Sequence, residues 1–271
     1  MRTLAIVLTI LAILLVAGFA FATGGRPARE PAAFITAGPI AHRGLWSDSS
    51  ETPENSLAAF AEAAANGYAI ELDVRLSADG AVMVIHDDDI ERMTGVPGSV
   101  SEMTATDLQA LGLFDGSQII PTLPEVLTLV DGRVPVFIEI KSTGQIGPLE
   151  DAVARLLNSY EGEVAVMSFN PYSLGRIASA APDVSRGQLA SAFEGEDLEW
   201  YETLLLRNLM MNWTSRPDFI AYDIAELPSF STQLQQLRGR PLLGWTAKTR
   251  AERIAAEELV DAVICDPHAL P

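Results

Sequence analysis

The chain of 271 residues carries one cysteine, Cys265. That scarcity excludes an intramolecular disulfide and a cysteine-built zinc site. Cys265 sits in the strand-like run Ala-Val-Ile-Cys-Asp and is expected to be an inert core residue. Histidine is nearly as rare, with three in all. Basic residues number 18 against 36 acidic ones, giving a formal net charge of -18. So negative a surface repels nucleic acid and anionic headgroups, so no nucleic-acid partner is expected. No Gly-x-Gly-x-x-Gly or Walker loop follows the first strand-like run, which weakens a doubly wound nucleotide fold. There is no internal repeat.

The chain does have an apolar leader. Leu4–Ala22 runs nineteen positions without a charge, long enough at about 1.5 Å per residue to approach the roughly 30 Å hydrocarbon thickness. Ala20-Phe21-Ala22 before Thr23 is a small-x-small site that fits a cleaved signal peptide, while the length fits an uncleaved anchor. Residues 1–22 are therefore read as a signal peptide or membrane anchor. The expected location is membrane-anchored or exported, on the periplasmic or extracellular face. Residues 23–39, rich in Gly, Pro, Ala and Arg, read as a linker.

Residues 40–271 alternate strand-like and amphipathic runs. The strand candidates are Ile40–Arg43, Ile70–Val74, Val82–Ile85, Val136–Ile140, Val164–Ser168, Arg186–Ala190, Phe219–Tyr222, Leu242–Thr246 and Ala262–Cys265. Strand alternating with helix predicts a parallel sheet. Seven residues between Val74 and Val82 are too few for a crossover helix, so Val82–Ile85 must be an antiparallel appendage. Eight parallel strands remain. The expected fold is an α/β TIM-type (β/α)8 barrel with an appended hairpin strand, preceded by a hydrophobic helix. Glu91–Pro124 reads as a small helix-and-loop insertion near the barrel mouth.

In such barrels chemistry sits at the C-terminal strand ends. His42 and Arg43 end the first strand, Glu71 and Asp73 the second, and Glu139 and Lys141 a later one. The i, i+2 spacing of each later pair puts both side chains on one face. A two-residue turn at Asp79-Gly80 would pair Ala78 with Ala81 and set Asp73 opposite His86. Carboxylates and imidazoles would then gather at one spot, as a divalent cation beside an acid/base group requires. Inward carboxylates amid Ile, Leu and Val are costly to bury unless paired or bound to metal. Glu139 with Lys141 could be a private ion pair. Asp87, Asp88 and Asp89 read as a solvated loop, with Asp87 a possible exception, and His268 is assigned no role.

Ala41-His42-Arg43-Gly44, Pro53-Glu54-Asn55-Ser56, Glu71-x-Asp73-Val74, Asp79-Gly80, His86-Asp87, Glu139-Ile140-Lys141, Ser168-Phe169-Asn170 and Trp245-Thr246 occur in that order. Together they resemble the glycerophosphodiester phosphodiesterase family, from about Ile40 to Pro267. The resemblance implies hydrolysis of a small-molecule glycerophosphodiester to glycerol 3-phosphate and an alcohol. By similarity, His42 and His86 are the acid/base pair, and Glu71, Asp73 and Glu139 hold a divalent ion. Arg43 and Lys141 would contact phosphate oxygens, Glu54 and Asn55 would brace the site, and Phe169 and Trp245 would line the substrate pocket. Ser56 stands where the family usually has Thr. Trp245-Thr246-Ala247-Lys248 replaces a commoner ending, and Cys265 replaces a frequent Thr. These departures bear on the alcohol pocket.

Phosphodiester cleavage needs on the order of 20 kcal/mol of catalysis. Acid/base groups supply roughly 3–5 each and orientation about 7–11, so electrostatics must supply the rest. All-carboxylate ligation favours Ca²⁺ or Mg²⁺ over Zn²⁺. Two other functions are weighed. One is a lysophospholipase D or sphingomyelinase D-like enzyme acting on membrane lipid. The other is a non-catalytic barrel that binds phosphorylated polyols, which loss of a histidine or ligand carboxylate would have suggested.

Overall fold

A computed structural model describes residues 2–24, 27, 29–47, 51–142 and 145–271, with the side chains of 2–5 and 115 outside that description. Nine strands form one sheet: β1 (Ile40–Ala41), β2 (Ala69–Leu76), β3 (Val82–Val84), β4 (Val136–Ile140), β5 (Val164–Ser168), β6 (Ser185–Ala190), β7 (Phe219–Asp223), β8 (Leu242–Ala247) and β9 (Ala262–Cys265). Their order is β1-β9-β8-β7-β6-β5-β4-β2-β3, and β1 also pairs with β2. Eight parallel strands thus close a barrel. β3 lies outside it, antiparallel to β2.

Alternation along the strands sorts the side chains. Ile70, Leu72, Val74, Ile138 and Ile140 pack outward against the helices. Phe137, Ala165, Phe219, Leu243 and Ile264 fill the interior near the N-terminal end. Glu71, Asp73 and Glu139 follow on the inward face nearer the C-terminal end and are buried. β1 is only two residues long and pairs with β2 at Ala69 and Ile70. The same edge of β2 is therefore free further on, and β3 takes it at Val74–Leu76.

The hairpin register differs by one residue from the sequence expectation. Leu76 pairs with Val82 and Val74 with Val84, so Asp73 falls opposite Ile85, whose N–H donates to Asp73 O (3.0 Å), and not opposite His86. The loop holds three residues, Ala78-Asp79-Gly80. Gly80 is left-handed (φ 83°), and Ser77 Oγ bonds Asp79 and the Ala81 N–H. A left-handed glycine third in the loop is a common alternative to the two-residue turn. A one-residue slip would normally turn His86 to the opposite face. It does not here, because pairing with β2 ends at Ile85 and the bend that follows carries His86 to the mouth.

The stretch expected as a linker is packed where described; residues 25, 26 and 28 lie outside the described residues. Ala33–Thr36 forms a 3-10 turn whose Ile35 is fully buried in the barrel's N-terminal end. Phe34 meets Phe137 edge-on, and Arg29 bonds Asp218. The apolar residues of this stretch, hidden by its Gly-Pro-Arg composition, explain the packing.

The N-terminal helix spans Arg2–Ala22. Among the described residues, no helix is long and apolar enough to cross a membrane. The expected mouth insertion is present, with its own small core of Met83, Ile85, Ile90, Met93, Val100, Leu108 and Ile120. A second excursion between β6 and β7 went unforeseen. It carries the rim helix, Trp200–Arg207, which buries none of its residues.

Candidate active site

Directly after β1 the backbone turns left-handed at Arg43 (φ 58°) and Gly44 (φ 85°). A Cβ on Gly44 would lie 3.0 Å from the Ala59 backbone, so glycine lets the loop close against that helix. The turn aims the Arg43 N–H at Glu71 Oε2 (3.1 Å). It also swings the guanidinium over the carboxylates. Arg43 Nη1 donates to Glu54 Oε1 (3.0 Å), and Nε lies 3.3 Å from Asp73 Oδ2, off the hydrogen-bond axis. Asn55, also left-handed, donates from Nδ2 to Asp73 Oδ2 (2.9 Å).

Glu71, Asp73 and Glu139 each bring one carboxylate oxygen within 4.8 Å of the other two. Neighbouring β2 and β4 set Asp73 beside Glu139 in register. Lys141 Nζ lies 2.6 Å from Glu139 Oε1 and 3.2 Å from Asp73 Oδ1. Neither oxygen has a well-aimed hydrogen bond, although both are buried. Buried carboxylate oxygens are normally satisfied. Three clustered carboxylates with two unsatisfied oxygens therefore fit a hard divalent cation, which takes oxygen ligands. Glu139 and Lys141 do pair, but Lys141 also serves Asp73, so the pair is not private.

The titrations follow the same crowding. Burial, then repulsion from Asp73 and Glu139, holds the Glu71 carboxyl well above the usual range. Burial also raises Glu139, partly offset by Lys141. Burial would raise Asp73 too, but Lys141 and Arg43, with lesser help from His86 and Asn55, hold it well below the ordinary value. Burial lowers His86, and Asp73 opposes that shift. Burial lowers Lys141 less than Asp73 and Glu139 raise it. Two of the three carboxyls, Glu71 and Glu139, are thus raised by burial and mutual crowding, while the two cationic side chains hold Asp73 ionised.

Both imidazoles reach the same cavity, of about 1210 Å³. His42 Nδ1 lies 2.7 Å from Asp266 Oδ1, and His86 Nδ1 lies 2.6 Å from Asp87 Oδ1. An Nδ1–H held by a carboxylate leaves Nε2 for proton transfer. Asp87 is bonded by Arg92 Nε, and Arg92 Nη2 donates to Glu54 (2.7 Å). A chain of alternating charges thus runs from His86 through Asp87, Arg92 and Glu54 to Arg43. Arg75 Nε donates to the His86 carbonyl (2.8 Å) and fixes that loop. Phe169 and Trp245 meet edge-on (5.4 Å) on the cavity wall.

All eleven residues singled out from sequence are accounted for. His42, Arg43, Glu71, His86, Glu139, Lys141, Phe169 and Trp245 line the cavity. Asp73, Glu54 and Asn55 lie directly behind them, bonded to it. Sequence reading missed Asp266, Arg75 and Arg92, and left Asp87 open. The strand-end rule could have found Asp266, which directly follows β9. Arg92 gives no local signal. The cavity's far wall also came as a surprise, with Phe193, Tyr201, Leu205, Leu206 and Met211 from the excursion after β6.

Known proteins resemble this chain in sequence and in fold. A glycerophosphodiester phosphodiesterase of Caldanaerobacter subterraneus subsp. tengcongensis is 40% identical over 161 residues, 55% of this chain. The match covers 65% of that protein, so the chain spans just under two thirds of its length. The glycerophosphodiester phosphodiesterase structure from Thermotoga maritima is 26% identical, with a TM-score of 0.66 over 86% of this chain and 96% of that one. An Oleispira antarctica phosphodiesterase, solved with its product sn-glycerol-3-phosphate, is 24% identical and shares the fold. Its TM-score is 0.69 over 86% of this chain and 94% of its own. Residues 42–269 match the glycerophosphoryl diester phosphodiesterase family from the first imidazole to the last turn, and the chain belongs to that family.

Proposed function

We propose that this chain is a metal-dependent phosphodiesterase that hydrolyses glycerophosphodiesters to glycerol 3-phosphate and an alcohol. One observation carries the reading: two imidazoles, each held at Nδ1 by a carboxylate, border the same cavity as a buried three-carboxylate cluster. Glu71, Asp73 and Glu139 are assigned to a divalent ion, Ca²⁺ or Mg²⁺. When bound, the ion supplies positive charge to the phosphoryl oxygens.

The chain's own groups do the rest. Arg43 and Lys141 bind and orient the phosphoryl oxygens. An oxygen nucleophile, either water or the substrate's own glycerol hydroxyl, attacks phosphorus and gives its proton to one imidazole Nε2. The bond from phosphorus to the alcohol oxygen breaks, and the other imidazole protonates that oxygen. In the hydroxyl route a cyclic diester forms, and water opens it with the two proton roles reversed. Glu54 and Asn55 hold Arg43 and Asp73 in place. Phe169 and Trp245 wall the alcohol pocket.

His42→Ala and His86→Ala should each lower glycerol 3-phosphate release by at least about a hundredfold. Near-wild-type rates in both variants would refute the histidine assignment. Stripping with chelator and restoring Ca²⁺ or Mg²⁺ should abolish and recover turnover. Indifference to this treatment would remove the three carboxylates from the mechanism.

The cavity favours a second reading of the substrate. Its volume exceeds the roughly 300–1,000 Å³ of ordinary small-molecule sites, and Leu205, Leu206 and Met211 line its far side. Room and apolar lining of this kind suit a single-chain phospholipid, as a lysophospholipase D takes. Comparing glycerophosphocholine with lysophosphatidylcholine separates the two readings.

A further inference from the structure

The rim helix Trp200–Arg207 is apolar on two faces. Tyr201, Leu205 and Leu206 line the cavity, while Trp200 and Leu204, one turn apart, take no part in its lining and are 75% and 48% exposed. The end of the helix is tied to the mouth end of the barrel. Arg207 O accepts from Tyr222 Oη at the end of β7 (2.8 Å) and from Ser231 Oγ (3.4 Å). Ser231 lies in the first turn of the helix Phe230–Leu237, which runs from the mouth back to the N-terminal end, as barrel helices do. Its first residue, Phe230, is 71% exposed.

The N-terminal helix continues this apolar surface. Thr23 O accepts from Gln235 Nε2 (3.2 Å) and Arg238 Nη1 (3.1 Å), beside the last turn of the helix Phe230–Leu237. One turn earlier, Phe19 meets Phe230 at 6.4 Å. The two helices therefore run antiparallel, and the earlier turns of the N-terminal helix lead toward the mouth end. From Phe19 back to Ile6 is roughly 20 Å of helix. Ile6, Ile10, Leu11, Leu14, Leu15 and Val16 are all exposed along it. Trp200, Leu204, Phe230 and these residues thus lie toward one end of the molecule, the end on which the cavity opens.

We propose that this end seats on a lipid surface, with the rim helix at the interface and the catalytic mouth facing the bilayer. Exposed Trp, Phe and Leu on helices suit an interfacial position. The surface lipid should be zwitterionic. Glu194, Glu196, Asp197, Glu199 and Glu202 crowd the rim helix against one arginine, Arg207, and anionic headgroups would be repelled. No membrane crossing is required. The inference is independent of the catalytic reading, because vesicle binding is measured without turnover.

The test uses the full chain and phosphatidylcholine vesicles, with and without an added anionic lipid. An environment-sensitive dye is attached at Leu204→Cys on the rim or at Glu161→Cys, which precedes β5 at the opposite end. Cys265 is buried and does not compete for label. The expected result is a blue shift and quenching by lipid-borne quencher at position 204 alone, weakened by anionic lipid. Equal signals at the two positions, or a signal at 161 alone, overturn the orientation. Self-association without vesicle binding overturns the lipid partner. A double variant, Trp200→Ala with Leu204→Ala, should weaken vesicle partitioning at least about tenfold and leave turnover of soluble substrate unchanged. Wild-type partitioning would assign binding to the N-terminal helix alone and overturn the role of the rim.

Discussion

The two ends of the barrel bury charge in opposite ways. At the N-terminal end, Asp218 is almost fully enclosed, and both of its oxygens are bonded. Oδ1 accepts from Arg29 Nε (3.0 Å), and Oδ2 accepts from Arg29 Nη2 (2.7 Å) and the Arg186 N–H (2.9 Å). At the mouth, Glu71, Asp73 and Glu139 share two cationic side chains, and Asp73 Oδ1 and Glu139 Oε1 both face Lys141 Nζ without a well-aimed hydrogen bond. The first arrangement is closed and serves stability. The second crowds three buried carboxyls around two cationic side chains, which pushes Glu71 and Glu139 toward their protonated forms, and a bound cation would relieve that crowding. The difference teaches how to tell a structural carboxylate from a ligating one: ask whether the protein already satisfies its oxygens.

Four substitutions or reactions would break or sharpen that contrast. The largest effect is expected at the mouth. Glu71→Gln removes one acid from the cluster and should lower turnover about 10²–10³-fold, with thermal stability unchanged or raised, because a crowded carboxylate has gone. A loss of stability with normal turnover would make Glu71 a structural residue. Next, Asp266→Asn should lower turnover by roughly 10–100-fold, because His42 loses the carboxylate that holds Nδ1. The pH–rate profile should change shape, which a mere loss of packing would not cause. At the other end, Asp218→Ala should lower unfolding free energy by about 2–3 kcal/mol, a figure already reduced for the partial exposure of Arg29. Turnover per folded molecule should be unchanged, as urea melts and a matched assay would show. The smallest effect concerns Cys265. Burial pushes its thiol up to about 12, so at pH 8 the native thiol stays protonated and should react with a thiol reagent only after denaturation. Rapid native labelling would contradict the buried setting.

Much of this contrast was legible in the sequence, for identifiable reasons. Glu71, Asp73, Glu139 and Lys141 stand out because polar residues interrupt strands of Ile, Leu and Val, and period two fixes their common face. The hairpin was legible as a hairpin but not in register. Asp-Gly fits both two- and three-residue loops, and the deciding contact, Ser77 Oγ to the loop, is a tertiary detail. His86 reached the site through a turn that no pattern announces. The plug at Ile35 was hidden by the Gly-Pro-Arg composition around it. The rim helix escaped notice because it has no single buried stripe for periodicity to detect. Arg92 joins Glu54 to Asp87 across 38 residues, and one sequence carries no trace of such a pairing.

The most direct test is anomalous X-ray scattering from crystals soaked in Mn²⁺, a hard cation that takes the same oxygen ligands. One peak is predicted at roughly 2.0–2.6 Å from oxygens of Glu71, Asp73 and Glu139, and it should vanish in Glu71→Gln. A map with no peak there, and with Lys141 alone neutralising Asp73 and Glu139, would contradict the account.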